Sequence, residues 1–163
     1  MTDFRVEHEL LLCCARTAIN VKTAEQIQRL LLQGVDWPYL FRMVDQHRVV
    51  PIVYQTLSRM SAGTVPKEIL DRLQRQYIDN SMQGLLLTAQ LIKLVEWLRI
   101  HQIYAIPYKG PTLAVAAYGN VSLRQFGDID ILVHQRDYLK WGMHLTKLTA
   151  TCCAPLASDR GRF

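Results

Sequence analysis

Apolar residues recur at helical spacing through the first hundred residues of the chain. The clearest stripe is formed by four leucines within residues 66–101: Leu87, Leu91, Leu94 and Leu98. This spacing puts side chains on one face of an α-helix, so we expect the stripe to pack in a core. Similar patterns predict earlier helices over residues 6–18, 23–33, 37–47 and 51–60.

Polar residues mark where these helices begin and end. Thr23 followed by Gln26 has the spacing of a capping box, which predicts Thr23 as the N-cap of the second helix. Gly34 is suited to end that helix, and Asp36 to cap the next one. Gly84 lies inside the long stretch 66–101, where we expect a kink.

The pattern changes at Ile103, where short β-like runs begin. Residues 103–108 predict a strand, and Lys109-Gly110-Pro111 follows directly. Proline suits the first turn of a helix, so residues 112–118 are predicted to be helical. Residues 128–133, Asp-Ile-Asp-Ile-Leu-Val, predict a second strand that carries two acids. Residues 136–148 have a helical pattern, and residues 150–163 are expected to form a loose tail.

The second strand brings two carboxylates to one face. Side chains alternate along a strand, so Asp128 and Asp130 would lie on the same side, about 7 Å apart along the chain. Such a pair repels unless a cation lies between its members, which suits a divalent metal ion. A structural alternative is that Asp128 caps a turn while Asp130 forms hydrogen bonds. Gly110, at a strand-to-helix turn, would let a phosphate approach backbone N–H groups.

This arrangement resembles the active-site core of the DNA polymerase beta-like nucleotidyltransferase superfamily. It is more similar still to an uncharacterised bacterial nucleotidyltransferase family with a Lys-Gly turn, an arginine and an Asp-x-Asp strand. Those positions are Lys109-Gly110, Arg124 and residues 128–133. Upstream similarities are Asp36-Trp37, His47-Arg48-Val49-Val50-Pro51, Val65-Pro66 and residues 110–114, so the resemblance covers roughly residues 10–140.

The resemblance implies transfer of a nucleoside monophosphate from a nucleoside triphosphate to an acceptor of unknown type (protein, RNA or small molecule). Asp128 and Asp130 would be catalytic and would hold Mg²⁺ (or Mn²⁺). Lys109, Gly110 and Arg124 would bind phosphate. A third carboxylate usually completes such a site, and neither Asp137 nor Asp159 is in an obvious position for it. Members of the family extend further, so we expect this chain to be truncated.

Composition and charge narrow the classes of protein to which the chain can belong. The net charge of +5 comes without a Lys/Arg run, so no nucleic-acid-binding surface is predicted. Apolar runs are far shorter than the ~20 residues of a membrane span, and no signal peptide is evident. Cys13-Cys14 and Cys152-Cys153 lack the spacing of zinc or redox sites, so free thiols in a cytoplasmic protein are expected.

The sequence therefore predicts an α+β protein: an N-terminal helical region followed by the start of a nucleotidyltransferase-like mixed β-sheet core. We divide the chain into a helical region (1–101), a partial nucleotidyltransferase core (102–149) and the tail (150–163). The main alternative is a catalytically inactive nucleotide-binding or protein-interaction module. In that case the chain would bind nucleotide without turning it over.

Overall fold

The fold was obtained as a computed structural model, which describes residues 5–60 and 63–137. Six α-helices precede or flank two short strands in this part of the chain. In order, the elements are α1 Val6–Cys14, α2 Val21–Leu32, α3 Trp37–Gln46, α4 Val50–Met60, α5 Lys67–Ile100, β1 Ala105–Pro107, α6 Gly110–Tyr118 and β2 Ile131–Val133. Short 3₁₀ turns follow α6 and β2, at Val121–Leu123 and Gln135–Asp137. The α+β class predicted from the sequence is confirmed.

Helices α1–α4 enclose one hydrophobic core together with the start of α5. Its most deeply buried side chains include Leu10, Ile27, Val44, Val50 and Leu57. Cys13 and Cys14 belong to the same core as free thiols, as expected, and burial raises the pKa of Cys14 to about 12. Cys152 and Cys153 lie outside the described residues.

The predicted end of the first helix at residue 18 was wrong, because α1 ends at Cys14. The predicted N-cap is correct at α3 and differs at α2. The Asp36 carboxylate accepts a hydrogen bond from the Tyr39 N–H at 3.0 Å and caps α3, as predicted. The prediction for Thr23 was wrong, because α2 begins at Val21 and its N-cap is Asn20. The Asn20 side chain accepts from the Thr23 N–H at 2.8 Å, so Thr23 is the recipient of the cap and lies inside the helix.

Helix α5 runs without interruption for 34 residues. Leu91 and Leu98 are buried and Leu87 and Leu94 half-buried, which confirms the predicted leucine stripe. Gly84 is buried mid-helix, where a Cβ would lie 3.5 Å from the Phe126 ring. Its role is therefore close packing against the segment that leads to β2.

The two strands pair antiparallel, with Pro107 opposite Ile131 and Ala105 opposite Val133. Strand β2 is shorter than predicted: it begins at Ile131, so Asp128 and Asp130 precede it. The predicted division at residues 101–102 falls just after α5 and stays a prediction. The predicted helix 136–148 lies largely outside the described residues, and the tail 150–163 lies wholly outside them. Within the described ranges, no helix has the length and apolarity needed to cross a membrane.

Glu7 connects α1 to the start of α3. Its buried carboxylate accepts a hydrogen bond from the Asp36 N–H at 2.9 Å and another from Arg5 at 3.2 Å. Burial by itself would raise the pKa of Glu7, but these bonds outweigh it and hold the pKa below its ordinary value. The fold therefore stabilises the deprotonated, negatively charged form of Glu7.

We expect Glu7→Ala to lower the free energy of unfolding by about 1–3 kcal/mol, because it leaves the Asp36 N–H without its partner. Glu9→Ala, at a half-buried position of the same helix, is the control and should cost less. Urea unfolding measures both. A group with a lowered pKa loses its contribution as the pH falls from 4.5 through the folded-state value. The difference between wild type and Glu7→Ala should therefore shrink over that range, and a constant difference would contradict this account.

Candidate functional site

A tight turn joins β1 to α6. Lys109 is the N-cap of α6 and Gly110 begins the helix with a φ of 55°, in the left-handed region that favours glycine. Pro111 occupies the first turn, as predicted, and the helix extends to Tyr118. The helix starts two residues earlier than the sequence suggested, so Gly110 itself belongs to its first turn.

Strand pairing continues beyond the assigned strands and brings this turn to the two aspartates. The Tyr108 N–H donates to the Asp130 carbonyl oxygen at 3.3 Å. Two residues further along, a Cβ on Gly110 would lie only 2.9 Å from the Asp128 carbonyl oxygen. The backbone of Asp128 therefore lies against Gly110, and that of Asp130 against Tyr108.

Lys109 lies in the electrostatic field of both carboxylates. A hydrogen bond with the Tyr108 side chain raises the pKa of Lys109, and the negative charges of Asp130 and Asp128 raise it further. Its ammonium nitrogen is 5.1 Å from the centroid of the Tyr108 ring. Tyr108 is 43% exposed and contributes to this charged corner.

Arg124 lies in the loop between the first 3₁₀ turn and β2. Its guanidinium carbon is 5.9 Å from the centroid of the Phe126 ring. Its Nη1 atom is buried, with no hydrogen-bond partner among the described residues. Since a guanidinium stays protonated, this nitrogen is a buried donor that lacks an acceptor among those residues.

Two residues that sequence reasoning missed, Asn80 and Phe126, hold this loop in place. The Asn80 side chain donates to the carbonyl oxygens of Ser122 and Arg124, at 2.9 and 3.4 Å. The Phe126 ring packs between Gly84 and Gly110, 3.5 and 3.9 Å from their Cβ positions. An asparagine within a helix and a phenylalanine before Gly127 carry no local signal for these roles.

A polar cleft of about 460 Å³ opens beside the loop. Four of the nine residues that line it have amide side chains: Gln76, Asn80, Gln83 and Gln125. The remaining lining residues are three charged ones and two from the loop: Asp45, Arg48, Asp79, Phe126 and Gly127. The Oε1 atoms of Gln76 and Gln125 are buried without a partner among the described residues. Each such atom costs about 1–3 kcal/mol unless something donates to it.

Comparison with known proteins decides the family. A family model described as an uncharacterised nucleotidyltransferase matches residues 33–152, well over half of the chain. The chain belongs to this nucleotidyltransferase family. No curated protein and no solved structure gave a match.

Membership in the nucleotidyltransferase family agrees with the resemblance carried by Lys109-Gly110, Arg124 and the two aspartates. It supports nucleotidyl transfer as the general activity. Asp128 is exposed and Asp130 half-buried, so both carboxylates remain accessible. Among residues 5–60 and 63–137, no three Asp, Glu, His or Cys side chains converge as a metal-binding group.

We predict that Gly110→Ala destabilises the protein more than Gly119→Ala. Both glycines have left-handed backbones, with φ of 55° and 71°, so each substitution incurs about 1–2 kcal/mol of strain. Only at Gly110 would the new methyl meet a backbone atom, since nothing lies within 4 Å of a Cβ on Gly119. Urea unfolding of the two variants measures the difference. Equal losses would mean that Gly110 does not touch the Asp128 segment.

Proposed function

We propose that this nucleotidyltransferase moves a nucleoside monophosphate from a nucleoside triphosphate to an acceptor, with Asp128 and Asp130 as metal-binding catalytic residues. The observation that supports this most is the approach of the Gly110 turn to the Asp128–Asp130 segment. A phosphate held at Gly110 would lie beside the segment that carries the two carboxylates. Both halves of a metal–triphosphate site would then be provided within one small unit of the fold.

The charged groups suit Mg²⁺ or Mn²⁺ bound to a triphosphate. Hard divalent cations prefer carboxylate and phosphate oxygens, and magnesium sites commonly combine one or two carboxylates with substrate phosphates. Two aspartates, with the rest of the coordination supplied by phosphate and water, therefore fit such an ion. When bound, the ion would neutralise phosphate charge and lower the pKa of the acceptor hydroxyl.

The phosphates would be bound by the start of α6 and by two side chains. The N–H groups of the first helical turn have no acceptors within the helix, and the helix dipole favours an anion there. Lys109, whose raised pKa keeps it protonated, would offset the negative charge of the triphosphate. Arg124, on the loop that leads to the two aspartates, would add a second positive charge.

In the proposed reaction the acceptor hydroxyl attacks the α-phosphorus. A new oxygen–phosphorus bond forms, the bond from the α-phosphorus to the bridging oxygen breaks, and pyrophosphate leaves with that electron pair. The hydroxyl proton passes to an aspartate oxygen or to solvent. Lys109 and Arg124 would stabilise charge on the departing pyrophosphate.

The test is transfer of label from nucleoside triphosphates carrying ³²P in the α-position to small-molecule and macromolecular fractions of a cell lysate. We expect Asp128→Asn and Asp130→Asn each to lower transfer more than about 100-fold, because even outer partners of metal ligands are worth 10–100-fold. Each substitution removes the negative charge of the aspartate and keeps the size of its side chain.

Asp71→Asn is the matched control, an exposed aspartate on α5 that should leave transfer unchanged. A γ-labelled triphosphate in parallel distinguishes nucleotidyl from phosphoryl transfer. Transfer that survives both active-site substitutions would exclude Asp128 and Asp130 as metal ligands. Binding of Mg²⁺–ATP without any transfer would support the inactive nucleotide-binding alternative.

A further inference from the structure

Helix α5 carries a second apolar face, which is exposed to solvent. Its core face carries buried residues such as Leu73, Gly84 and Leu91. The exposed face is formed by apolar residues whose spacing alternates between four and three, and we call it the outer stripe: Ile78, Met82, Leu85, Ala89 and Ile92. With 3.6 residues per turn, the outer stripe lies on the side of the helix opposite the core face.

The outer stripe has the pattern of a contact between helices. Alternating spacings of four and three are those of the a and d positions of a coiled coil, where apolar side chains meet a second helix. Met82, Leu85 and Ile92 are 61%, 59% and 64% exposed. A continuous apolar stripe about 21 Å long, at 1.5 Å per residue, is therefore in contact with water. Exposed patches of this kind mark interaction sites.

The spacing of the outer stripe is symmetric about Leu85. Ile78 lies seven residues before Leu85, and Ile92 lies seven residues after it. If two copies of α5 ran antiparallel, Ile78 of each copy would meet Ile92 of the partner subunit, and the two Leu85 side chains would meet at the two-fold axis. A surface that matches itself in this way is what a symmetric dimer requires.

Charge at the two ends of the outer stripe favours the antiparallel direction. The next positions of the same pattern are Arg75 and Glu96, both exposed, which lie ten residues before and eleven residues after Leu85. Antiparallel pairing would place Arg75 of each copy near Glu96 of the partner subunit. Parallel pairing would instead set like charges against each other at both positions.

Glu96 has the capacity for this additional contact. Its carboxylate accepts two hydrogen bonds from Arg99 of its own helix, at 3.0 and 2.8 Å. A carboxylate has about four acceptor positions, so Glu96 can accept from a second arginine as well.

We propose that the outer stripe is the interface of a symmetric dimer, in which α5 of a second copy of this chain packs antiparallel on it. The stripe lies opposite Asn80 and Gly84, which contact the loop before β2, so this pairing does not use the loop that leads to the two aspartates. The inference is independent of the proposed function, because it concerns another face of the molecule.

Analytical ultracentrifugation of the 163-residue chain tests this, and we expect a species of about twice 18.8 kDa. Leu85→Glu should raise the dissociation constant of the dimer more than about 100-fold, because it places two carboxylates together in an apolar contact. Leu12→Glu is the matched control, since Leu12 of α1 is 62% exposed, and it should leave the dimer intact. Both positions are exposed, so both variants should keep the circular dichroism of the wild type.

Charge reversal tests the direction of the two helices. Arg75→Glu puts a carboxylate near Glu96 of the partner subunit at both ends and should weaken the dimer about tenfold. Adding Glu96→Arg reverses both members of each pair and should restore the affinity to within about threefold of the wild type. Parallel pairing predicts no such rescue, because identical residues would face each other in every variant.

The proposal is overturned if the chain sediments as an 18.8 kDa monomer at concentrations up to about 100 μM. It is also overturned if Leu12→Glu dissociates the dimer as much as Leu85→Glu does, or if the double charge reversal fails to restore affinity. For a monomer, urea unfolding of Leu85→Glu would show what covers the stripe instead. A loss of stability would indicate another part of the same chain, and no loss would leave the stripe to a different protein.

Discussion

The close backbone approach of Gly110 to Asp128 is the constraint on which the candidate site depends. A Cβ at that position would lie 2.9 Å from a carbonyl oxygen, so the approach requires glycine. The hydrogen bond from Tyr108 to Asp130 fixes the register of the same two segments. Together they bring the backbone of the two aspartates against the helix N-terminus and Lys109, and the proposed metal–triphosphate site rests on this approach.

The helical region contributes to this corner as well as preceding it. Helix α5 holds the loop before β2 through Asn80 and provides room for Phe126 at Gly84. The same helix lines the polar cleft with Gln76 and Asp79. A single long helix therefore supports the proposed reaction site and forms one wall of the space beside it. Substitutions on its inner face should accordingly affect both.

The sequence-based account of the site was accurate for the turn and less so for the strand. Lys109-Gly110-Pro111 signals a strand-to-helix turn through local conformational preferences, and the structure has it there. The alternation in residues 128–133 suggested a continuous strand, yet only Ile131–Val133 is one. The partner strand ends at Pro107 and the chain then turns into α6, so a strand at Asp128 would have no straight neighbour. Strand length depends on the partner as well as on the pattern.

The sequence by itself determined the order of helices and strands, the glycine turn and the pair of aspartates, because each follows from preferences within a few residues. The N-cap of α2 was harder to predict, because Thr23 gave a local capping signal as good as that of Asn20. Only the tertiary structure decided the roles of Asn80, Phe126, Gln76 and Gln125. Asn80 forms a hydrogen bond with a residue 42 positions away, and Gln125 lines a cleft together with residues of the helices. Such contacts depend on how separate elements pack, which no local pattern encodes.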